Sequence, residues 1–132
     1  MNNLISLKEW DSEIISDLID LAKNIKDDPR KFSEKMVGRS LLMIFEKPSL
    51  RTRLSFEAGM TQMGGHAIYY HLGSSPMGSG KESISDSIKV ASRYVDLIMA
   101  RFFIHDDLIE IANLRILVES HALKKSIENS TT

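Results

Sequence analysis

The 132 residues include no cysteine, a single tryptophan and only three prolines. Without cysteine there are no disulfides and no thiolate metal sites, which fits a reducing compartment. Positive and negative charges nearly cancel, leaving a net charge of −1. Nothing therefore draws the chain as a whole to nucleic acid or an anionic membrane, and any anion binding has to be local. No apolar run approaches the length needed to span a bilayer, and Lys8, Glu9 and Asp11 interrupt the region where a signal-peptide core would lie. A cytoplasmic protein with no membrane or nucleic-acid partner is expected. Repeats and low-complexity tracts are also missing. His66, His71, His105 and His121 lack metal-ligand spacing, so no metal is expected.

What is present is ordinary globular material, 42% hydrophobic and 27% charged, in a length that suits one domain with its own core. The chain is organised around residues 41–57. Leu41, Leu42, Met43, Ile44 and Phe45 form a continuous apolar run, the pattern of a strand covered on both faces in a parallel sheet. Pro48 ends it, and Ser49 is placed to cap a helix beginning near Leu50. Ser49, Arg51, Thr52 and Arg53 then gather hydroxyls, guanidinium groups and unpaired backbone N–H groups at a helix N-terminus, which is the chemistry of an anion site.

Before this stretch, residues 6–25 read as an amphipathic helix capped by Ser6 or Asp11, with an apolar stripe through Ile14, Leu18, Leu21 and Ile25. After it, the helix is expected to run to Met63, turning Leu54, Phe56, Met60 and Met63 inward and stopping at Gly64-Gly65. His66 to Leu72 is β-prone, and Gly73 to Lys81 is a glycine-rich loop. Ser83 is placed to cap a third helix with a stripe through Ile84, Ile88, Ala91 and Tyr94. Asp96 to Phe102 reads as a third strand, and 105–112 as a short helix with Asp106 and Asp107 in its first turn. One helix followed by three strand–helix pairs predicts an α/β fold, a parallel sheet with helices on both faces and ligands at the carboxyl ends of its strands.

Two arginines two residues apart are usually solvated surface charge. Arg51 and Arg53 differ in following a buried strand, beside two hydroxyls, where the backbone already favours an anion. Arginine suits phosphate because its planar fork donates two parallel hydrogen bonds. Arg101, at the carboxyl end of the third strand, either reaches solvent or faces the same cavity. Lys81 lies in Gly-Ser-Gly-Lys-Glu-Ser, but a nucleotide-binding loop needs Ser or Thr where Glu82 stands, so that reading is rejected. Either Lys81 closes over a ligand or it is plain loop charge. Glu46 and Glu57 read as partners of nearby arginines.

Together these residues carry a family resemblance. Residues 45–57, Phe-Glu-Lys-Pro-Ser-Leu-Arg-Thr-Arg-Leu-Ser-Phe-Glu, closely resemble the carbamoyl-phosphate signature of the aspartate and ornithine carbamoyltransferases, whose core is Ser-Thr-Arg-Thr-Arg. The likeness continues through Gly64-Gly65-His66-Ala67, Gly80-Lys81-Glu82-Ser83, Ser92-Arg93-Tyr94-Val95-Asp96 and Met99-Ala100-Arg101. The wording around Glu46 and Lys81 is nearer to the ornithine enzymes. The resemblance implies that Ser49, Leu50, Arg51, Thr52 and Arg101 bind carbamoyl phosphate, with Arg51 and Arg101 catalytic and Lys81 reaching in from its loop. By the same resemblance Arg53 braces the turn. It also implies trimers, a place in arginine biosynthesis, and attack by an amine on the carbamoyl carbon that expels phosphate. That chemistry works by positioning and cationic stabilisation, with no cofactor.

Two departures stand out. Leu50 replaces a threonine of the signature. The loss is small if the backbone N–H does the binding there, and about 1–3 kcal/mol if the hydroxyl does. The likeness also covers residues 1–113 only. Residues 114–132 read as a divergent tail, and the family's second, amino-acid-binding domain has no counterpart. The chain therefore reads as a shortened family member, inactive alone. The alternative is a non-catalytic module that binds anions or forms oligomers.

Overall fold

The computed structural model describes residues 3–74 and 84–113. Its centre is strand β1 (Ser40–Phe45), flanked by β2 (His66–His71) and β3 (Leu97–Arg101) in the order β2-β1-β3. Both pairings are parallel, with Phe45 opposite His71 on one side and Arg101 on the other. The predicted parallel α/β architecture is the one observed.

The apolar run of β1 explains its central place. Alternate side chains point to opposite faces. Ile44 packs with Leu72, Ile88 and Ile111, while Leu41, Met43 and Phe45 pack with Met60. Met43, Ile44 and Phe45 are fully buried, each contributing about 1.5–3 kcal/mol by leaving water. Only a central strand covered on both sides buries every second residue in each direction.

Helices α1 (Ser12–Asp27), α2 (Leu50–Gln62) and α3 (Ile84–Ala91) and a fourth, α4, over 105–113 complete the described fold. The expected helix over 6–25 begins later, because Ser6 caps a separate 3-10 turn at Leu7–Glu9 and Asp11 occupies the N-cap of α1. No residue of α1 is buried, and Ile14, Leu18 and Leu21 stay about half exposed. Its stripe is amphipathic as read, but α1 packs mainly on the short turn Pro29–Phe32.

Gly64-Gly65 ends α2 as expected. Gly64 takes φ +84°, and the N–H groups of Gly64 and Gly65 return to the carbonyls of Thr61 and Met60. The inward face of α2 differs from the reading: Met60 is buried, whereas Leu54 and Phe56 are exposed. Leu54 lies about 120° around the helix from Met60, too far to share its contact face. Phe56 shares that face but lines an apolar cleft of about 630 Å³ with Met60, Met63 and Met99. Tyr94 also leaves its expected stripe, because α3 ends at Ala91 and a turn follows that leaves Tyr94 81% exposed. The loop over 75–83, the cap at Ser83 and the tail from 114 lie outside the described residues. No described helix is long and apolar enough to cross a membrane.

Candidate functional site

The site begins with the cap of α2. Pro48 ends the strand, and Ser49 adopts extended backbone angles (φ −154°, ψ 112°) as the N-cap residue. Its Oγ accepts from the backbone N–H of Thr52 at 3.4 Å. Ser49 Oγ also lies 3.0 Å from Thr52 Oγ1, to which it donates. The two predicted hydroxyls are thus joined across the first turn.

Arg101 reaches the same place from the other side of β1. Its register opposite Phe45 puts it at the edge from which the chain departs toward α2, and its carbonyl accepts from Glu46 N–H at 2.9 Å. Arg101 Nη1 donates to Thr52 Oγ1 at 3.0 Å. Of the two outcomes open for Arg101, it takes the one that faces the turn. Ser49, Thr52 and Arg101, spread over 49 residues between the last two, form one hydrogen-bonded chain.

Arg51 is exposed and makes no ion pair among the described residues, although its carbonyl accepts from Ser55 Oγ. Leu50 holds the first helical position with its side chain 72% exposed, so its backbone N–H is the polar group it offers the turn. Lys81 lies outside the described residues. Glu57 pairs with Arg53 as expected, Nε to Oε2 at 2.8 Å, whereas Glu46 forms no ion pair among the described residues. Arg53 also stacks on the ring of Tyr69, its Cζ 3.8 Å from the centroid. Nothing local in the sequence marked Tyr69; the parallel register of β2 brings it there.

Chemically this is a donor-rich surface. Arg101 is tied to the turn by a single N–H, Arg51 makes no ion pair among the described residues, and a helix start offers N–H groups that the helix itself does not use. Among the described residues no group of three or more His, Asp or Glu is arranged to hold a metal ion. A cavity of about 900 Å³ lies away from this turn, lined by Trp10, Glu9, His105 and Ile109, and includes none of Ser49, Arg51, Thr52 or Arg101.

Residues 2–128 match the family model described as the carbamoyl-phosphate binding domain of aspartate/ornithine carbamoyltransferase. The chain belongs to this family. Its resemblance to the carbamoyltransferases is therefore established over nearly the whole length, and the relatives lean to the ornithine branch. A catabolic ornithine carbamoyltransferase of Halobacterium salinarum is 52% identical over 112 residues, 85% of this chain and 38% of that protein. The ornithine carbamoyltransferase of Pyrococcus furiosus superposes with a TM-score of 0.78 at 38% identity, covering 86% of this chain and 36% of that one. The anabolic enzyme of Campylobacter jejuni gives the same TM-score at 32% identity, with the same coverage. The chain thus spans a little over a third of the length of these carbamoyltransferases. One relative is named catabolic and another anabolic, so family membership does not assign the chain to arginine biosynthesis.

Proposed function

We propose that this chain binds carbamoyl phosphate at the first turn of α2, in the manner of an ornithine carbamoyltransferase. The observation that carries the reading is the bond from Arg101 to Thr52, which joins the end of β3 to the capped start of α2. In this reading the phosphate rests on the N–H groups of the first turn, Leu50 included, with the hydroxyls of Ser49 and Thr52. Arg51 neutralises the departing phosphate, and Arg101 polarises the carbamoyl carbonyl so that charge arising on its oxygen meets a fixed cation. Lys81 closes from its loop. No cofactor or metal takes part.

The acceptor in the whole-length reaction is ornithine, giving citrulline and phosphate. We place the carbamoyl-phosphate-binding unit in residues 1–113, in keeping with the 112–113 residues over which the Halobacterium and Methanobrevibacter relatives align, and read 114–132 as a divergent tail although the family model runs on to residue 128. The unit works in the cytoplasm and associates as a homo-trimer; sedimentation equilibrium that finds only monomer at every concentration would remove the trimer.

Titration calorimetry of the 132-residue chain with carbamoyl phosphate tests the binding. Saturable heat is expected, and its loss in Arg51→Ala assigns it to the turn. Heat that survives in both Arg51→Ala and Arg101→Ala would refute the site. The 132 residues by themselves are expected to bind without turnover, because over 60% of the Halobacterium relative's length has no match in them. Isotope-traced citrulline at the rate of a whole-length enzyme would contradict this.

A further inference from the structure

Two neighbouring residues tie the first turn of α2 in opposite directions. Thr52 is held from β3 through Arg101. Arg53 is held from β2, its guanidinium lying on the Tyr69 ring at 3.8 Å. Tyr69 is itself fixed, packing against the fully buried Phe45 with ring centroids 5.3 Å apart and planes tilted by 41°. On its outer side Arg53 donates to Glu57 at 2.8 Å, one turn further along α2. A continuous stack therefore runs from the buried end of β1 through Tyr69 and Arg53 to Glu57. Arg53 spends its Nε–H on Glu57 and the face of its guanidinium on the Tyr69 ring, so contacts from α2 and β2 hold it against the start of the helix.

We propose that Tyr69, acting through Arg53, is a positioning residue for the anion site. The pair sets the angle at which the N–H groups of the first turn, Arg51 and Thr52 converge, although neither Tyr69 nor Glu57 touches the anion. This rests on the anion-binding reading above. Attraction between a guanidinium and an aromatic face depends on the ring rather than the phenol hydroxyl. The two parts of Tyr69 can therefore be separated by substitution.

Inorganic phosphate is titrated into the parent chain, Tyr69→Phe, Tyr69→Leu, Arg53→Ala and the double variant Tyr69→Leu/Arg53→Ala. Tyr69→Leu and Arg53→Ala should each weaken binding by about three- to tenfold, with Tyr69→Phe close to the parent. The double variant should be no worse than the weaker single one, because both remove the same contact. Losses that multiply in the double variant, or Tyr69→Leu binding phosphate as the parent does, would overturn the proposal.

Amide exchange reads the brace without any ligand. In Tyr69→Leu the amides of Thr52 and Arg53, bonded to Ser49 Oγ and Ser49 O, should exchange faster, while that of Ser92, bonded to the carbonyl of Ile88 in the other cluster, keeps its parent rate. Equal quickening at all three would show a general loss of stability and refute positioning, as would no change at the turn. Should the parent fail to bind phosphate, the function proposed above falls, and the exchange pattern alone decides whether the brace exists.

Discussion

A threonine hydroxyl has two acceptor positions and one proton, and Thr52 uses both acceptor positions inside the protein, one for Ser49 and one for Arg101. Its proton is left to donate outward. The same arrangement keeps one guanidinium N–H of Arg101 occupied at the turn. Thr52→Val keeps the shape but removes all three roles. It should lower phosphate affinity by about tenfold or more, since hydrogen bonds to charged groups contribute about 1.5–3 kcal/mol; calorimetry showing an unchanged constant would contradict this. Leu50 gives the opposite expectation. Its side chain is 72% exposed and the turn already closes without it, so Leu50→Thr should change phosphate affinity by less than about threefold. A large gain measured by the same titration would mean that the hydroxyl missing from the signature matters after all.

At the scale of elements, the ends of α2 matter more than its middle. Its start is set by Ser49, and its end by Gly64, whose φ of +84° suits glycine. A Cβ at Gly64 would stand 2.8 Å from Val37 Cγ2 and 2.9 Å from the carbonyl oxygen of Ser33. Gly64→Ala combines that backbone strain with a clash against main chain, so a loss of about 2 kcal/mol or more is expected. Urea unfolding with an unchanged slope and a lower midpoint would record it; an unmoved midpoint would show that the segment 33–37 yields without cost. Both ends were legible in the sequence because caps and glycine stops act over three or four residues. The apolar run of β1 was legible for the same reason. Phe56 stays exposed because periodicity gives a face but not the neighbour that covers it, whereas Leu54 lies off the face of Met60 and Tyr94 falls past the end of α3. For α1 the stripe was right and still lies exposed, since what buries a helix is tertiary. Arg101 was legible through the rule that parallel strands end on one edge and through the family resemblance, whereas the stacking of Arg53 on Tyr69 had no signal within either segment.

The described residues form a three-stranded sheet between two small clusters, and the site ties the start of α2 to the end of β3 at one edge of that sheet. β3 packs on β1, α2 packs on β2, and the described bond between the start of α2 and the end of β3 is the one from Arg101 to Thr52. An anion held by both elements adds a second tie that exists only in the folded state, so binding must raise stability. At a concentration one hundred times the dissociation constant the gain is about 2.7 kcal/mol, which for a domain of this size corresponds to roughly 10 °C in Tm. Phosphate also stabilises proteins in general by exclusion from their surfaces. Arg101→Ala separates the two effects, because it keeps the general effect and loses the specific one. Differential scanning calorimetry at constant ionic strength should therefore show a saturating rise of Tm in the parent chain. In Arg101→Ala the rise should be smaller and should not saturate. If the two curves run parallel, phosphate acts on the surface alone, and the bond between Arg101 and Thr52 holds the fold without holding an anion.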